Sequence, residues 1–325
     1  MEIVMPIKNL LVYEDFEIRG IRFISNKNST RYLRNLGSMS LNISNNCLLN
    51  YLIDTYPCLI HEFSGKVLAI CEVDTEKMEN VFSAYGKIIE FGENYAELVD
   101  EALDIIRYQF CNVTRLEDLP MYPGIFSEGT SGFLLVYEDE TYTPLTYKIH
   151  LIGIVEQPGL EIDNVKTISD EPLFSFFNDE KSSSFSSILV RKIMRRLSKS
   201  MYIYDPNVRF VYLMTTVEIV SSMDEYRQSK CVKKLIGKLI SPIQKDYENV
   251  TKRMEKYFHD YRTEIVHNGK DIFGPNRKLL FEPNLLDLQT ILARVIEVLV
   301  TNDFQNEKDY LSFIEEKQKQ LFPNS

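Results

Sequence analysis

The sequence predicts an α+β protein, with a mixed α/β domain at the N-terminus and an all-helical bundle behind it. Two changes along the chain predict this. Apolar runs rich in β-branched and aromatic residues give way, between residues 156 and 184, to apolar stripes at helical spacing. The charge reverses over the same region. Residues 1–180 hold 13 Lys+Arg against 29 Asp+Glu, a balance of −16, and residues 181–280 hold 20 against 10, a balance of +10. The last 45 residues return to −4, within a chain of net charge −10.

The N-terminal part, residues 1–155, carries strand-like runs at 10–25, 66–74, 132–139 and 147–156, the last two joined by ETYTPLT as a hairpin connection around Pro144. One helix is predicted from Tyr95 to Phe110, where Leu98, Ala102, Ile105 and Ile106 recur at helical spacing and acids fill the first turns. A shorter helix is expected near NNCLLNYLIDTY (45–56). Residues 156–184, with Pro158-Gly159, many acids and a serine run, read as a linker packing locally through Phe174, Phe176 and Phe177.

From 185 to 325 the pattern is helical throughout. Segment 185–200 places Ile188, Leu189, Ile193 and Leu197 along one stripe, and 207–223 is almost wholly apolar, so it reads as a central helix. Segment 229–241 sets Lys230, Lys233, Lys234 and Lys238 around Val232, Leu235, Ile236 and Leu239. A long amphipathic helix, 243–268, stops at Asn268-Gly269. Asn284 is expected to cap the next helix, and a final one covers 306–321.

With 325 residues there is chain enough for two cores. There is no run of eighteen apolar residues and no basic-then-apolar leader pattern, and the five cysteines are scattered without a CxxC pair. These features predict a cytoplasmic protein with reduced thiols and no membrane span. The basic hundred residues suit a polyanion such as RNA whatever the whole-chain charge, since binding releases counterions.

Chemistry concentrates at the end of the long helix, YFHDYRTEIVHNG (257–269). Four residues separate Arg262 from His267. Imidazole titrates near neutrality and can move a proton at a ribose hydroxyl or a departing 5′-oxygen. A guanidinium stays charged and matches phosphate oxygens, so it can stabilise a phosphorane-like transition state. RNA brings its own nucleophile, the 2′-hydroxyl, so this chemistry requires no metal or other cofactor. On a regular helix the two side chains lie about 140° apart, so Arg262 must curl toward His267 or the helix must distort. A cationic His is favoured at a helix C-terminus, which suits a general acid. Glu218, a lone acid in an apolar helix, needs a partner, and Arg262 is the expected one.

The R-x4-H spacing in YRTEIVHNG resembles the signature of the HEPN superfamily. The surrounding order, an apolar helix FVYLMTTVEIVSSM, a basic helix and then the long helix, is similar to the Apea-like branch over residues 185–305. That resemblance implies a HEPN-like bundle of four or five helices, homodimerisation through the C-terminal helices, and a metal-independent endoribonuclease site built from two Arg/His pairs. It further implies a toxin or anti-phage defence effector. The resemblance does not extend to residues 1–155, which are expected to act as a restraint or as a sensor for a regulatory ligand or phage component, because a cytosolic ribonuclease must be held inactive and their −16 charge can mask the +10 region. Thr263 stands where the family often has Asn, Asp or Ser, and Thr263 and Asn268 are secondary site candidates. Lys230, Lys233, Lys234 and Lys238 are the candidate RNA contacts. The alternative reading is a non-catalytic scaffold that binds a nucleotide or a protein.

Other constellations point elsewhere. Arg253 and His259 repeat a similar spacing just upstream, as a decoy. His61-Glu62 lacks a second ligand at helical spacing, GTSG (129–132) precedes a strand and reads as a turn, and His150 reads as structural.

Overall fold

The computed structural model describes residues 1–34, 38–39, 63–73, 85–125, 132–138, 141–147, 159–169, 172–179, 183–221, 228–273 and 278–323. The expected helix near 45–56, His61-Glu62, residues 129–131 of the GTSG turn and His150 lie outside them. The protein is α+β. The chain forms two compact units, Met1–Cys111 with Glu117–Asp170, and Asn112–Leu116 with Glu171–Ser325.

The first unit contains β1 (Glu2–Ile7), β2 (Leu10–Val12), β3 (Phe16–Ile18), β4 (Ile21–Ile24), α1 (Asn26–Arg34), β5 (Ser38–Met39), β6 (Val67–Glu72), α2 (Tyr85–Ala102), α3 (Asp104–Phe110), β7 (Gly132–Glu138), β8 (Thr141–Tyr147), β9 (Leu160–Ile162) and α4 (Lys166–Ser169). Seven strands form one sheet in the order β3-β4-β6-β1-β7-β8-β5, antiparallel except at the β5–β8 edge. The central strand β1 is not among the strand-like runs of the sequence. Ile3, Val4, Met5 and Ile7 are all fully buried, so neither face shows the polar alternation that marks a half-buried strand. The run 10–25 splits into three strands, and Arg19-Gly20, both at positive φ, close the β3–β4 hairpin.

ETYTPLT is not a connection. Its residues from Thr141 onward are β8, paired along the length of β7 with Pro144 opposite Leu135. The predicted helix breaks at Leu103 into α2 and α3. Across that break Arg107, fully buried, donates to Asp100 Oδ1 at 2.5 Å, to the Asp100 carbonyl at 2.9 Å and to Asp104 Oδ1 at 3.2 Å.

The described residues of the expected linker include a strand and two short helices. β9 pairs in parallel with β2, and Gly159 before it, at positive φ, lies so close to the Asn9 backbone that a Cβ has no room. Phe177, of α5 (Pro172–Asn178), is buried in the second unit.

The second unit is helical among its described residues. It continues with α6 (Phe185–Met201), α7 (Pro206–Ser221), α8 (Ser229–Ile240), α9 (Gln244–Lys256), a π-helical turn (Tyr257–Arg262), α10 (Thr263–Asn268), α11 (Lys278–Asn302) and α12 (Glu307–Leu321). Ser184 and Asn306 cap α6 and α12. α11 begins before Asn284, with Pro283 inside it, so Asn284 is not the expected cap. The stripe on α6 runs through Leu189, Val190, Ile193, Met194 and Leu197, with Ile188 rotated outward.

The core forms where α7 packs on α6, α8 and α11: Phe210, Leu213, Met214 and Val217 of α7 are buried, as are Leu197 of α6, Ile236 of α8 and Leu288 and Val295 of α11. Asn112–Leu116 belongs to this unit. The Val113 amide donates to Gln289 Oε1 at 3.1 Å, and its carbonyl accepts from the buried Arg209 Nη1 at 2.7 Å. No helix among the described residues is long and apolar enough to cross a membrane.

Candidate functional site

The helix carrying Arg262 and His267 is not regular. Tyr257, Phe258 and Tyr261 turn three buried aromatic rings toward the core. Tyr257 and Tyr261 meet Phe210 at 5.9 and 5.7 Å, and Tyr261 meets Phe273 at 5.3 Å. Around them the backbone widens into the π turn, which ends with both the amide and the hydroxyl of Thr263 donating to the Phe258 carbonyl. The Thr263 hydroxyl is therefore spent on the backbone. The extra residue in the turn rotates the side chains beyond it, Arg262 first, and such turns recur at functional sites.

Arg262 reaches α7, where Nη2 lies 3.2 Å from Glu218 Oε1 and 3.4 Å from Oε2. The ion pair expected for the lone acid of the apolar helix is thus present. Burial raises the Glu218 carboxyl above the usual glutamate value, against the opposing pull of Arg262 and Arg196. Arg262 Nε is buried with no hydrogen-bond partner among the described residues. A buried unpaired donor costs about 1–3 kcal/mol.

His267 sits on the last turn of α10 and is exposed, and no hydrogen bond joins it to Arg262 among the described residues. Gly269, in the left-handed conformation, ends the helix, and its amide and that of Lys270 both donate to the Glu264 carbonyl. Glu264 also takes Asn268 Nδ2 at 3.0 Å and an ion pair from Lys270, so Asn268 supports the helix end.

Two concavities border this stretch. A groove of about 760 Å³ between α8 and α9 is lined by Lys233, Lys234, Lys252, Arg253, Lys256 and Asp260, among others. A cavity of about 860 Å³ lies at the start of α7, walled by Ile265, Gly269 and Lys270 on its other side. In the chain, Arg262 falls between Asp260 of the groove and Ile265 of the cavity, and His267 between Ile265 and Gly269 of the cavity, while neither is among the lining residues.

No family model, curated protein or solved structure matches the chain.

The four lysines predicted on α8 divide. Lys230 and Lys234 are exposed, whereas Lys233 pairs with Glu255 and Lys238 donates to Gln318 at 2.7 Å. Burial and then the charge of Lys234 pull both Lys233 and Lys238 down, a sign of positive potential along this face. Lys252 and Lys256 on α9 were missed. Their i, i+4 spacing was visible, but only the α8–α9 packing shows that they face the same groove. The decoy is committed elsewhere: Arg253 pairs with Asp287, and His259 Nε2 lies 3.3 Å from Glu255. Among the described residues no group of three or more His, Cys, Asp or Glu is placed to hold a metal ion.

Proposed function

We propose that the helical unit is a metal-independent endoribonuclease of the HEPN type, acting as a homodimer in anti-phage defence or as a toxin. The observation that carries this reading is Arg262, anchored by Glu218 and with its buried Nε unpaired among the described residues, five positions before an exposed His267 at a helix end. The 2′-oxygen of the substrate attacks the adjacent phosphorus and the bond from phosphorus to the 5′-oxygen breaks, leaving a 2′,3′-cyclic phosphate and a 5′-hydroxyl. Arg262 offsets the charge that grows on the phosphoryl oxygens. His267 of one copy takes the 2′-hydroxyl proton and His267 of the other protonates the leaving oxygen. Val266, beside His267, is 49% exposed, which suits a contact between two copies there. The groove cations Lys234 and Lys252 supply phosphate contacts, with Lys230 further along α8.

The test is RNA integrity in EDTA for wild type, Arg262→Ala and His267→Ala, with sedimentation to confirm the dimer. Cleavage lost in both variants of a folded dimer supports the reading, and equal cleavage in all three refutes it. The rival reading, a non-catalytic nucleotide- or protein-binding scaffold, draws on the Glu218 ion pair, which gives Arg262 a structural role without catalysis. It expects no cleavage by the wild type and weakened folding in Arg262→Ala. The acidic N-terminal part is proposed as the restraint or sensor.

A further inference from the structure

The cavity at the start of α7 is large enough for a nucleotide-sized ligand. Its rim carries Tyr204, 87% exposed, the most exposed large apolar side chain among the described residues. Phe273 and Phe281 also line it. The polar groups are pinned in place. Asp205 Oδ1 caps α7 by accepting from the Asn207 and Val208 amides at 2.8 and 3.0 Å. Asn207 Oδ1 accepts from the Ile272 and Phe273 amides at 3.1 Å, while its Nδ2 donates to Asp271 Oδ1 at 2.8 Å. Oδ2 of Asp205 and Oδ2 of Asp271 have no hydrogen-bond partner among the described residues.

Arg209 lines the same cavity at 3% exposure. Its Nε and Nη2 donate to the Ile203 carbonyl and its Nη1 to that of Val113. Each terminal nitrogen keeps a second N–H beyond these bonds.

Among the described residues the lining thus offers carboxylate acceptors, guanidinium donors and an aromatic face. That combination suits a neutral, flat group rich in N–H donors. Single-stranded RNA bases are recognised in this way, by stacking and through their Watson–Crick edge. Guanine presents N1–H and N2–H side by side to one carboxylate, and its O6 is an acceptor for the guanidinium. Uracil presents a single N–H flanked by two carbonyls, which a carboxylate repels.

We propose that this cavity is a guanine subsite for the RNA strand cut at Arg262 and His267. The inference rests on the ribonuclease reading for its purpose but not for its measurement. Guanosine, adenosine, cytidine and uridine are titrated calorimetrically into the full chain and into Tyr204→Ala, Asp271→Asn and His267→Ala. Guanosine is expected to bind at least about tenfold tighter than uridine, since it adds paired hydrogen bonds to its stacking. Tyr204→Ala and Asp271→Asn, with unchanged circular dichroism, are expected to weaken guanosine about tenfold, and His267→Ala to leave it unchanged. No saturable guanosine binding, or equal binding in the two cavity variants, overturns the subsite even if RNA cleavage depends on Arg262 and His267. Guanosine binding with the expected losses, in a protein whose RNA cleavage ignores both residues, upholds the cavity and sinks the ribonuclease reading instead.

Discussion

Glu218 on α7 and Arg262 on the π turn meet at 3.2 Å, joining the most apolar helix of the bundle to the residue proposed to face phosphate. The pair fixes one edge of the guanidinium and leaves Nε without a partner among the described residues.

The raised Glu218 carboxyl makes this contact sensitive to pH. The folded protein holds the Glu218 proton to a higher pH than the unfolded chain does. Its contribution is therefore greatest at low pH and declines as pH climbs from the ordinary value of 4.5 through the folded value. Glu218→Gln removes that dependence. In urea titrations, the stability of the wild type relative to the variant is expected to fall across this window as pH rises. A constant difference would show that burial does not shift the group.

Much of this pair was legible in the sequence, because a single acid in an apolar helix must find a cation and few were in reach. The π turn was not, since its aromatic residues fit a regular helix equally well and only packing against Phe210 and Phe273 selects the wider turn. β1 escaped because a strand buried on both faces shows no alternation, and β8 because Pro144 reads as a turn residue. The α7 cavity was invisible for another reason. Thr114, Asn207, Gly269 and Phe281 meet there only through the tertiary fold.

Arg209 shows the same dependence on distant chain. Its partner Val113 lies 96 positions away, and both belong to the helical unit. Deleting residues 1–155 therefore removes an acceptor from a buried charge as well as the proposed restraint. The truncated chain is expected to lose about 1–3 kcal/mol against the full chain's helical unit from this contact alone. Arg209→Met in the truncated chain recovers part of that loss, as read by the midpoint of helical unfolding in urea. If the substitution lowers the midpoint further, the lost Nη1 contact is not the cause, since Nε and Nη2 keep the Ile203 carbonyl. Increased RNA cleavage after this deletion supports the restraint, and unchanged cleavage in a folded truncated chain counts against it.

The thiols divide by environment. Burial pushes Cys71 and Cys111 up to about 12, so both stay protonated at neutral pH, while Cys231 on α8 is exposed. Brief treatment with iodoacetamide at pH 7.5 followed by peptide mapping is expected to label Cys231 and to spare Cys71 and Cys111 until urea unfolds the chain. Native labelling of Cys111 would place α3 in a looser packing than the structure has.

Arg107 is fully buried between Asp100 and Asp104, and its loss removes a cation that both carboxylates pair with. Removing one member of a buried ionic group costs about 3–5 kcal/mol, more than the pair itself contributes over an apolar replacement. Arg107→Ala is therefore expected to destabilise the first unit by about that amount. Arg107→Ala combined with Asp100→Leu and Asp104→Leu should regain most of the loss, because the buried carboxylates are removed along with their cation. The guanosine affinity of the helical unit, where Asp205 and Asp271 act, is expected to stay at the wild-type value in all these variants. Denaturant midpoints for the single and triple variants decide the point: a triple variant no more stable than Arg107→Ala means that the helix packing needs the charges themselves.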